Sequence, residues 1–246
     1  MTKKNINLDL PIFSTGGKMK LKVKKVLENT KSDFQDILIV DTEKYGKCLI
    51  IDGDMQCADS DHEAYDNEML KLLKKEDRNL LILGGGDGYV AKTALKKNKK
   101  LKVTLIDLDA EVINTCKNSL NGRAFNNKRL KLCIGDAFYF LEATSKEDRI
   151  KFDGIVCDLT DTPIGRKDKA NFEKFYKTII LDSYKVLNPG GWISTQAGAS
   201  KTNCNYIKAN KIIKNILSKH FKEISQSDIF IPSYGEKWAF LFGRKK

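Results

Sequence analysis

Four aspartates recur at one kind of place in this sequence. Asp87, Asp107, Asp136 and Asp158 each follow a short apolar run of strand length, and the first lies inside the glycine run Gly84-Gly85-Gly86-Asp87-Gly88. In an open parallel sheet the carboxyl ends of the strands share one edge, and ligands bind at that edge. A single aspartate there is explained by capping the helix that follows. Four in succession beside a glycine loop point instead to a bound nucleoside.

The kind of nucleoside follows from charge and spacing. Glycine at 84, 86 and 88 lets the backbone turn tightly and approach a ligand closely. A dinucleotide fingerprint starting at Gly84 would need glycine at 89, where the chain has Tyr89, and Asp87 would set a negative charge against a pyrophosphate. A cationic ligand fits better. Asp107 stands 20 residues after Asp87, a spacing suited to ribose hydroxyls, and Asp136 is placed to accept from the exocyclic amine of adenine. Together these describe a sulfonium nucleoside of the S-adenosylmethionine type rather than NAD. The segment Asp158-Leu159-Thr160-Asp161-Thr162-Pro163-Ile164 then offers two carboxylates over the donor, where a small-molecule methyltransferase needs one orienting group. Two acids suit a polycationic acceptor.

The elements that must hold these residues are legible from periodicity. Residues 1–55 read as strands joined by turns (Met19–Leu27, Ile37–Asp41, Lys47–Ile51), a small antiparallel β-strand domain, and 61–75 as a helix with Asp61 as its cap. From Asn79 the pattern becomes strand, glycine turn, helix, strand. Strands are expected at Asn79–Leu83, Lys102–Ile106, Leu130–Ile134, Phe152–Cys157 and Trp192–Gln196, with two closing strands near Ile224–Phe230 and Trp238–Gly243. Helices are expected at 89–97, 110–119, 137–143, 170–187 and 203–218, with a turn over Asn188–Gly191. The fold class is α/β: residues 56–246 form a Rossmann-like, mostly parallel, doubly wound sheet of the S-adenosylmethionine-dependent methyltransferase type.

Composition narrows the function classes. The 246 residues are 41% hydrophobic and 31% charged, as in a globular protein. No apolar run approaches the roughly 20 residues of a membrane helix, and the N-terminus lacks a secretory core, so a cytoplasmic protein without membrane contact is expected. The six cysteines stand singly, with no C-x-x-C pair, and the only histidines are His62 and His220; reduced core thiols and no metal are expected. The net charge of +12 comes from scattered lysines rather than an arginine-rich stretch with aromatics, so no nucleic-acid partner is expected. The motif loops run against the bulk: they are acidic in a basic protein.

In order and spacing, several segments resemble the spermidine/spermine synthase (polyamine aminopropyltransferase) family over about residues 20–246. They are Phe34-Gln35-Asp36-Ile37, Leu49–Gly53 with Gln56-Cys57, Gly84–Gly88, Asp107-Leu108-Asp109, Gly135-Asp136-Ala137, Asp158–Ile164 and Ile231–Tyr234. The resemblance implies that Gln35 and Asp87 meet the aminopropyl end of decarboxylated S-adenosylmethionine, a co-substrate, with no prosthetic group. It implies Asp107 for the ribose and Asp136 with Ala137 for the adenine, Gly84 and Gly86 shaping that loop. Asp158 would be the base, and Tyr65, Asp161 and Tyr234 would hold the amine acceptor. The chain departs from the pattern at Tyr89, whose ring would narrow the donor pocket, where the family has a second glycine. The helix after Cys57 is one residue longer than usual, which sets Tyr65 and Asp66 in competition for the family's tyrosine position. The tail Pro232–Trp238 resembles spermine synthases, in which the glutamate, here Glu236, meets a longer polyamine. Putrescine and spermidine both stay open as acceptors, and a homodimer is implied by the family alone. A small-molecule amine N-methyltransferase and a non-catalytic polyamine-binding regulator are the competing readings.

Overall fold

Alternation of lysine with aliphatic residues sets the first sheet. In β2 (Gly17–Lys31) Leu21 and Val23 are buried while Lys20, Lys22 and Lys24 face water, the period-2 signature of a half-buried strand. A computed structural model, which describes residues 6–147, 150–159, 169–202 and 208–246, pairs it in an antiparallel meander. The meander comprises β1 (Ile6–Ile12), β2, β3 (Asp36–Thr42), β4 (Gly46–Ile51) and β5 (Asp54–Ala58), neighbours in that order. The last strand runs to Ala58, past the expected boundary at residue 55. β3 and β4 are apolar on both faces for a reason. Val40, Cys48 and Ile50 pack with Leu10 and Leu21 inside the small domain, whereas Ile37, Ile39, Leu49 and Ile51 pack on Tyr89, Val112 and Cys116 of the larger one.

The larger domain is a seven-stranded sheet in the order β11-β12-β10-β9-β6-β7-β8. Its strands are β6 (Asn79–Gly84), β7 (Lys102–Asp107), β8 (Leu130–Ile134), β9 (Phe152–Asp158), β10 (Leu187–Ala199), β11 (Phe221–Ile231) and β12 (Glu236–Lys245). β8, β7, β6, β9 and β10 are parallel; β12 runs antiparallel to β10 and β11 to β12. The central strands are continuous apolar runs because helices cover both faces. Leu81, Leu83 and Ile155 join one core, to which α5 (Ala137–Ser145), α6 (Lys169–Val186) and α7 (Ala209–His220) contribute. Leu80, Ile82, Val156 and Trp192 join the other, beneath α1 (His62–Met69) and α2 (Tyr89–Lys97). Alongside β7 and β8 lie α3 (Ala110–Ser119) and the single turn α4 (Gly122–Phe125).

Some expected boundaries move. The helix expected over 61–75 stops at Met69, because polar groups hold the segment between it and β6 in turns. Asp77 Oδ2 accepts from the Lys74 N–H (2.9 Å) and from Trp192 Nε1 (2.9 Å), and Asn98 Nδ2 donates to the carbonyls of Lys74 (3.0 Å) and Asp77 (2.9 Å). The expected turn at Asn188–Gly191 is absorbed into β10, as a register shift against β9 between Leu187 and Trp192. Helix α7 begins at Ala209, and residues 203–207 lie outside the described residues.

The two domains are joined by side chains at the β11–β12 corner. Asp61 accepts from Ser233 N (2.7 Å) and Oγ (3.0 Å), Tyr45 donates to the Pro232 carbonyl (2.9 Å), and Tyr234 donates to the Gln56 carbonyl (2.5 Å). Glu236, buried at the start of β12, accepts from the backbone N–H groups of Phe13 (2.9 Å) and Ser14 (2.8 Å) in the β1–β2 turn. Removing that carboxylate strands both donors. Glu236→Ala is expected to lower the unfolding free energy by about 1–3 kcal/mol, read from urea midpoints; a change below about 0.5 kcal/mol, the range of neutral surface substitutions, would mean that the turn does not depend on Glu236.

Candidate active site

Chain order reverses about β6: the chain steps from β6 to β7 to β8 on one side, then returns to β9 on the other. Such a switch point opens a crevice at the carboxyl ends of the strands. Gly84, the last residue of β6, pairs with Asp158, the last of β9. The fit is close: a Cβ on Gly84, whose φ is +81°, would lie 2.1 Å from the Asp158 carbonyl oxygen. One on Gly86 would lie 2.7 Å from Asp107 Oδ2. These two glycines therefore make room for the site's own acids, a reason the sequence alone did not supply.

Above this crevice the small sheet closes a cavity of about 640 Å³. Its described lining contains eight aspartates and no lysine or arginine, in a chain with 44 basic residues. Asp158 forms its floor, and Tyr65 donates a hydrogen bond to its Oδ1 at 2.5 Å. Burial, reinforced by the negative charge of Asp87, pushes the Asp158 carboxyl up to about 8, and the bond from Tyr65 only partly offsets this. Asp87 is pushed up to about 6 by burial, with Asp66 and Asp107 adding to the rise; the Tyr89 N–H (2.7 Å) pulls the other way. Asp107 also rises to about 6 through burial, against the N–H groups of Asp109 (2.9 Å) and Gly86. Among the described residues, each of these three carboxylates accepts its hydrogen bonds from neutral donors. That is the electrostatic complement of a positively charged ligand.

One side of the cavity is built on β7 and β8. Asp107 and Asp136 both line the cavity, with Ala137 beside them. Asp136 also caps α5 through the Phe138 N–H (2.7 Å), so it caps a helix while lining the cavity. Gln35 lines the cavity as well, but its amide donates to Asp109 Oδ2 (2.8 Å), which Ser32 also reaches (2.6 Å). Asp109 is bonded in turn to Asp107. Gln35 is thereby held near the end of β7 through Asp109.

The opposite wall is aromatic. Tyr65 and Tyr234 meet edge to face (6.4 Å), as do Tyr234 and Trp238 (5.0 Å). Gln196, at the end of β10, accepts from Trp238 Nε1 (3.1 Å) and donates to the Leu159 carbonyl (2.7 Å), linking this wall to the residue after Asp158. Aromatic faces beside carboxylates suit alkylammonium groups. Tyr65 reaches Asp158, while Asp66 is bound by His62 (2.9 Å) and Thr93 (2.6 Å).

Ten of the expected site residues therefore meet in one place: Asp158, Tyr65, Tyr234, Gln35, Gly84, Gly86, Asp87, Asp107, Asp136 and Ala137 all line the cavity. Glu236 does not. Its carboxylate accepts from the β1–β2 turn, and it bears on the cavity through Phe13, which does line it. Asp161 lies outside the described residues. Phe13, Asp61, His62, Gln196 and Trp238 also face the cavity and were not expected there as site residues. Of these only Trp238, within the tail singled out by resemblance, carried a sequence signal; the others depend on contacts between distant segments.

Residues 65–246 match the family model of the spermine/spermidine synthase domain, and residues 12–59 match the spermidine synthase tetramerisation domain. The chain is 33% identical over 228 residues to a polyamine aminopropyltransferase of Saccharolobus islandicus, covering 90% of this chain and 72% of that one. It is 34% identical over 222 residues to the thermospermine synthase ACAULIS5 of Arabidopsis thaliana, covering 88% and 63%. In fold it is similar to the spermidine synthase of Thermotoga maritima, with a TM-score of 0.81 at 21% identity over 100% of this chain and 81% of that one. A spermidine synthase in complex with the transition state analogue AdoDATO superposes with a TM-score of 0.83 at 22% identity, over 100% and 82%. With three quarters of its length matched by the synthase domain, and relatives of that kind aligned along most of the rest, the chain belongs to the spermine/spermidine synthase family.

Proposed function

We propose that this chain is a polyamine aminopropyltransferase: it moves the aminopropyl group of decarboxylated S-adenosylmethionine to an amine acceptor, putrescine or spermidine, and releases methylthioadenosine. The observation that carries the reading is the cavity with eight aspartates and no lysine or arginine in its described lining. Donor and acceptor both bring positive charge. The family's relatives named for aminopropyl transfer and thermospermine synthesis support the same chemistry. A cytoplasmic homodimer belongs to this proposal; the tetramerisation-domain match over residues 12–59 supports self-association through the small sheet.

The reaction is a displacement at the propyl carbon bonded to the sulfonium. The amine lone pair forms the C–N bond, the C–S electron pair returns to sulfur, and the attacking nitrogen gives up one proton. The sulfonium is already an activated leaving group, so the difficulty lies in the nucleophile. Freeing an alkylamine of pKa about 10.4 at neutral pH costs roughly 4–5 kcal/mol. Burial acts on both partners here. It disfavours the ammonium and the carboxylate together, lowering one pKa and raising the other until a proton can pass between them. Asp158, already high at about 8 and held by Tyr65, is the acceptor this requires. Asp87 and Asp107 serve the donor, and Tyr65, Tyr234 and Trp238 line the acceptor's approach.

The first test is product analysis with decarboxylated or ordinary S-adenosylmethionine, each with putrescine, cadaverine, agmatine or spermidine. Methylthioadenosine from the decarboxylated donor alone is expected; methylated amine and S-adenosylhomocysteine would overturn the reading. Asp158→Asn is expected to lower kcat about 10²–10⁴-fold, the usual worth of a general base, with donor affinity nearly unchanged. Unaltered turnover would remove Asp158 from the role.

The raised carboxyls also fix a pH dependence. In the ligand-free protein the stability linked to Asp87, Asp107 and Asp158 is present below their unfolded pKa near about 3.9 and is lost as pH rises through about 6 and then about 8. A bound cation restores what ionisation removes. The thermal shift produced by the donor, held by Asp87 and Asp107, should therefore grow as pH rises from about 4 to about 6 and level off above that; a shift independent of pH between about 4 and 6 would contradict the linkage.

A further inference from the structure

Behind Asp87 lies an assembly that the acid chemistry and the acceptor wall leave unused. Tyr89, the first residue of α2, gives its backbone N–H to Asp87 Oδ1 at 2.7 Å. Its ring is 3% exposed and is wedged between the domains, packed with Leu49 and Cys57 of the small sheet and with Val112 and Cys116 of α3. Its hydroxyl donates to the carboxylate of Asp59, whose other oxygen accepts from the Lys47 N–H at 3.2 Å. His62, the first residue of α1, stacks on that ring with centroids 3.9 Å apart and planes at 20°. His62 Nδ1 lies 2.9 Å from Asp66 Oδ2, and Thr93 of α2 donates to the same oxygen at 2.6 Å. The small sheet, α1 and α2 are thus bound together at the residue that holds Asp87.

The arrangement answers a mechanical need. Asp87 sits between Gly86 and Gly88, where the backbone is softest, and the order of its carboxylate must come from neighbours. The Tyr89 N–H supplies that order, and the ring fixes the N–H. His62 presses on the ring from the cavity side: both residues line the cavity. Neither is required by the displacement chemistry or by the acceptor wall.

We propose that the Tyr89–His62 stack is a positioning device for the donor: it sets Asp87 against the cationic arm of the nucleoside and takes no part in acceptor recognition. The inference rests on the aminopropyl-transfer reading. It assigns a task to the position where the chain replaces the family's glycine with tyrosine, and it pairs that tyrosine with a particular histidine.

The test uses the full chain with Tyr89→Gly, Tyr89→Phe and His62→Ala. Steady-state kinetics are run with decarboxylated S-adenosylmethionine and amine, together with calorimetric titration of the donor alone. Tyr89→Gly is expected to raise donor KM and Kd about tenfold or more, in line with the cost of a misplaced binding group, while amine KM and kcat stay within about threefold. His62→Ala should move donor KM in the same direction by about three- to tenfold, and Tyr89→Phe, which keeps ring and N–H, should stay within about threefold of the unaltered protein. Donor KM within about twofold of normal in Tyr89→Gly, or donor and amine KM rising together, would overturn the proposal. Should Tyr89→Gly fail to fold by circular dichroism, His62→Ala, at a partly exposed residue, decides by the same criteria. An unaltered protein that neither binds nor uses the decarboxylated donor would defeat the functional reading and this inference with it; normal behaviour of both the unaltered protein and the variants would defeat the inference alone.

Discussion

The Asp158 carbonyl oxygen occupies the space where a side chain at residue 84 would begin, 2.1 Å from an ideal Cβ. That approach sets the rest of the site. It lets β6 and β9 run together to their last residues, so that Asp158 ends on the cavity floor rather than at an exposed strand end. The same economy at Gly86 brings Asp107 in beside the loop. Once these carboxylates are drawn close and covered by the small sheet, Asp87 and Asp107 raise Asp158, Asp107 raises Asp87, and burial raises all three. The elevated pKa of Asp158 is a consequence of backbone packing as much as of any single neighbour.

Covering the crevice is the task of the small domain, and its attachment is divided between two chemistries. Over the donor side it is apolar, with Ile37, Ile39, Leu49 and Ile51 against Tyr89, Val112 and Cys116. Over the acceptor side it is polar, with Asp61 on Ser233, Tyr45 on Pro232, Tyr234 on Gln56 and Glu236 on the β1–β2 turn. An apolar seam is non-directional and tolerates small sliding. The polar seam fixes orientation through specific donors and acceptors. In the proposed reaction the aromatic wall of Tyr65, Tyr234 and Trp238, where amine and carbon would be aligned for displacement, lies beside the seam that fixes orientation.

How much the sequence could reveal depends on how local each signal is. The strand ends carrying Asp107, Asp136 and Asp158 were readable because apolar runs, turn residues and capping acids lie within a few residues of one another. The doubly wound sheet followed from the alternation of those units. The partners of Glu236 were hidden for the opposite reason: similarity of the tail suggested a ligand contact, whereas Phe13 and Ser14 lie 223 and 222 residues away. The end of α1 was missed because Asn98 and Trp192, far along the chain, hold residues 74–77 in turns. The true reason for Gly84 and Gly86 was hidden likewise, since it depends on which strands become neighbours of β6 and on their register.

The distribution of charge gives these local features a common meaning. A chain with a net charge of +12 has lysines to spare, and one of them inside the cavity would neutralise an aspartate and stabilise the empty protein. The described lining instead supplies only neutral partners to Asp158, Asp87 and Asp107: a phenol and backbone N–H groups. Neutral donors orient a carboxylate without cancelling its charge, and buried charge left uncancelled favours the fold less than it favours a cation arriving from solution. Stability withheld from the free protein in this way reappears as affinity for sulfonium and ammonium ligands. The same carboxylates differ in what surrounds them: Asp158 faces the charges of Asp87, Asp66 and Asp107, whereas backbone N–H groups hold Asp87 and Asp107 lower. In the proposed reaction Asp87 and Asp107, near 6, ionise readily to hold the donor's charge, while Asp158, near 8, keeps enough basicity to take the proton that bond formation releases.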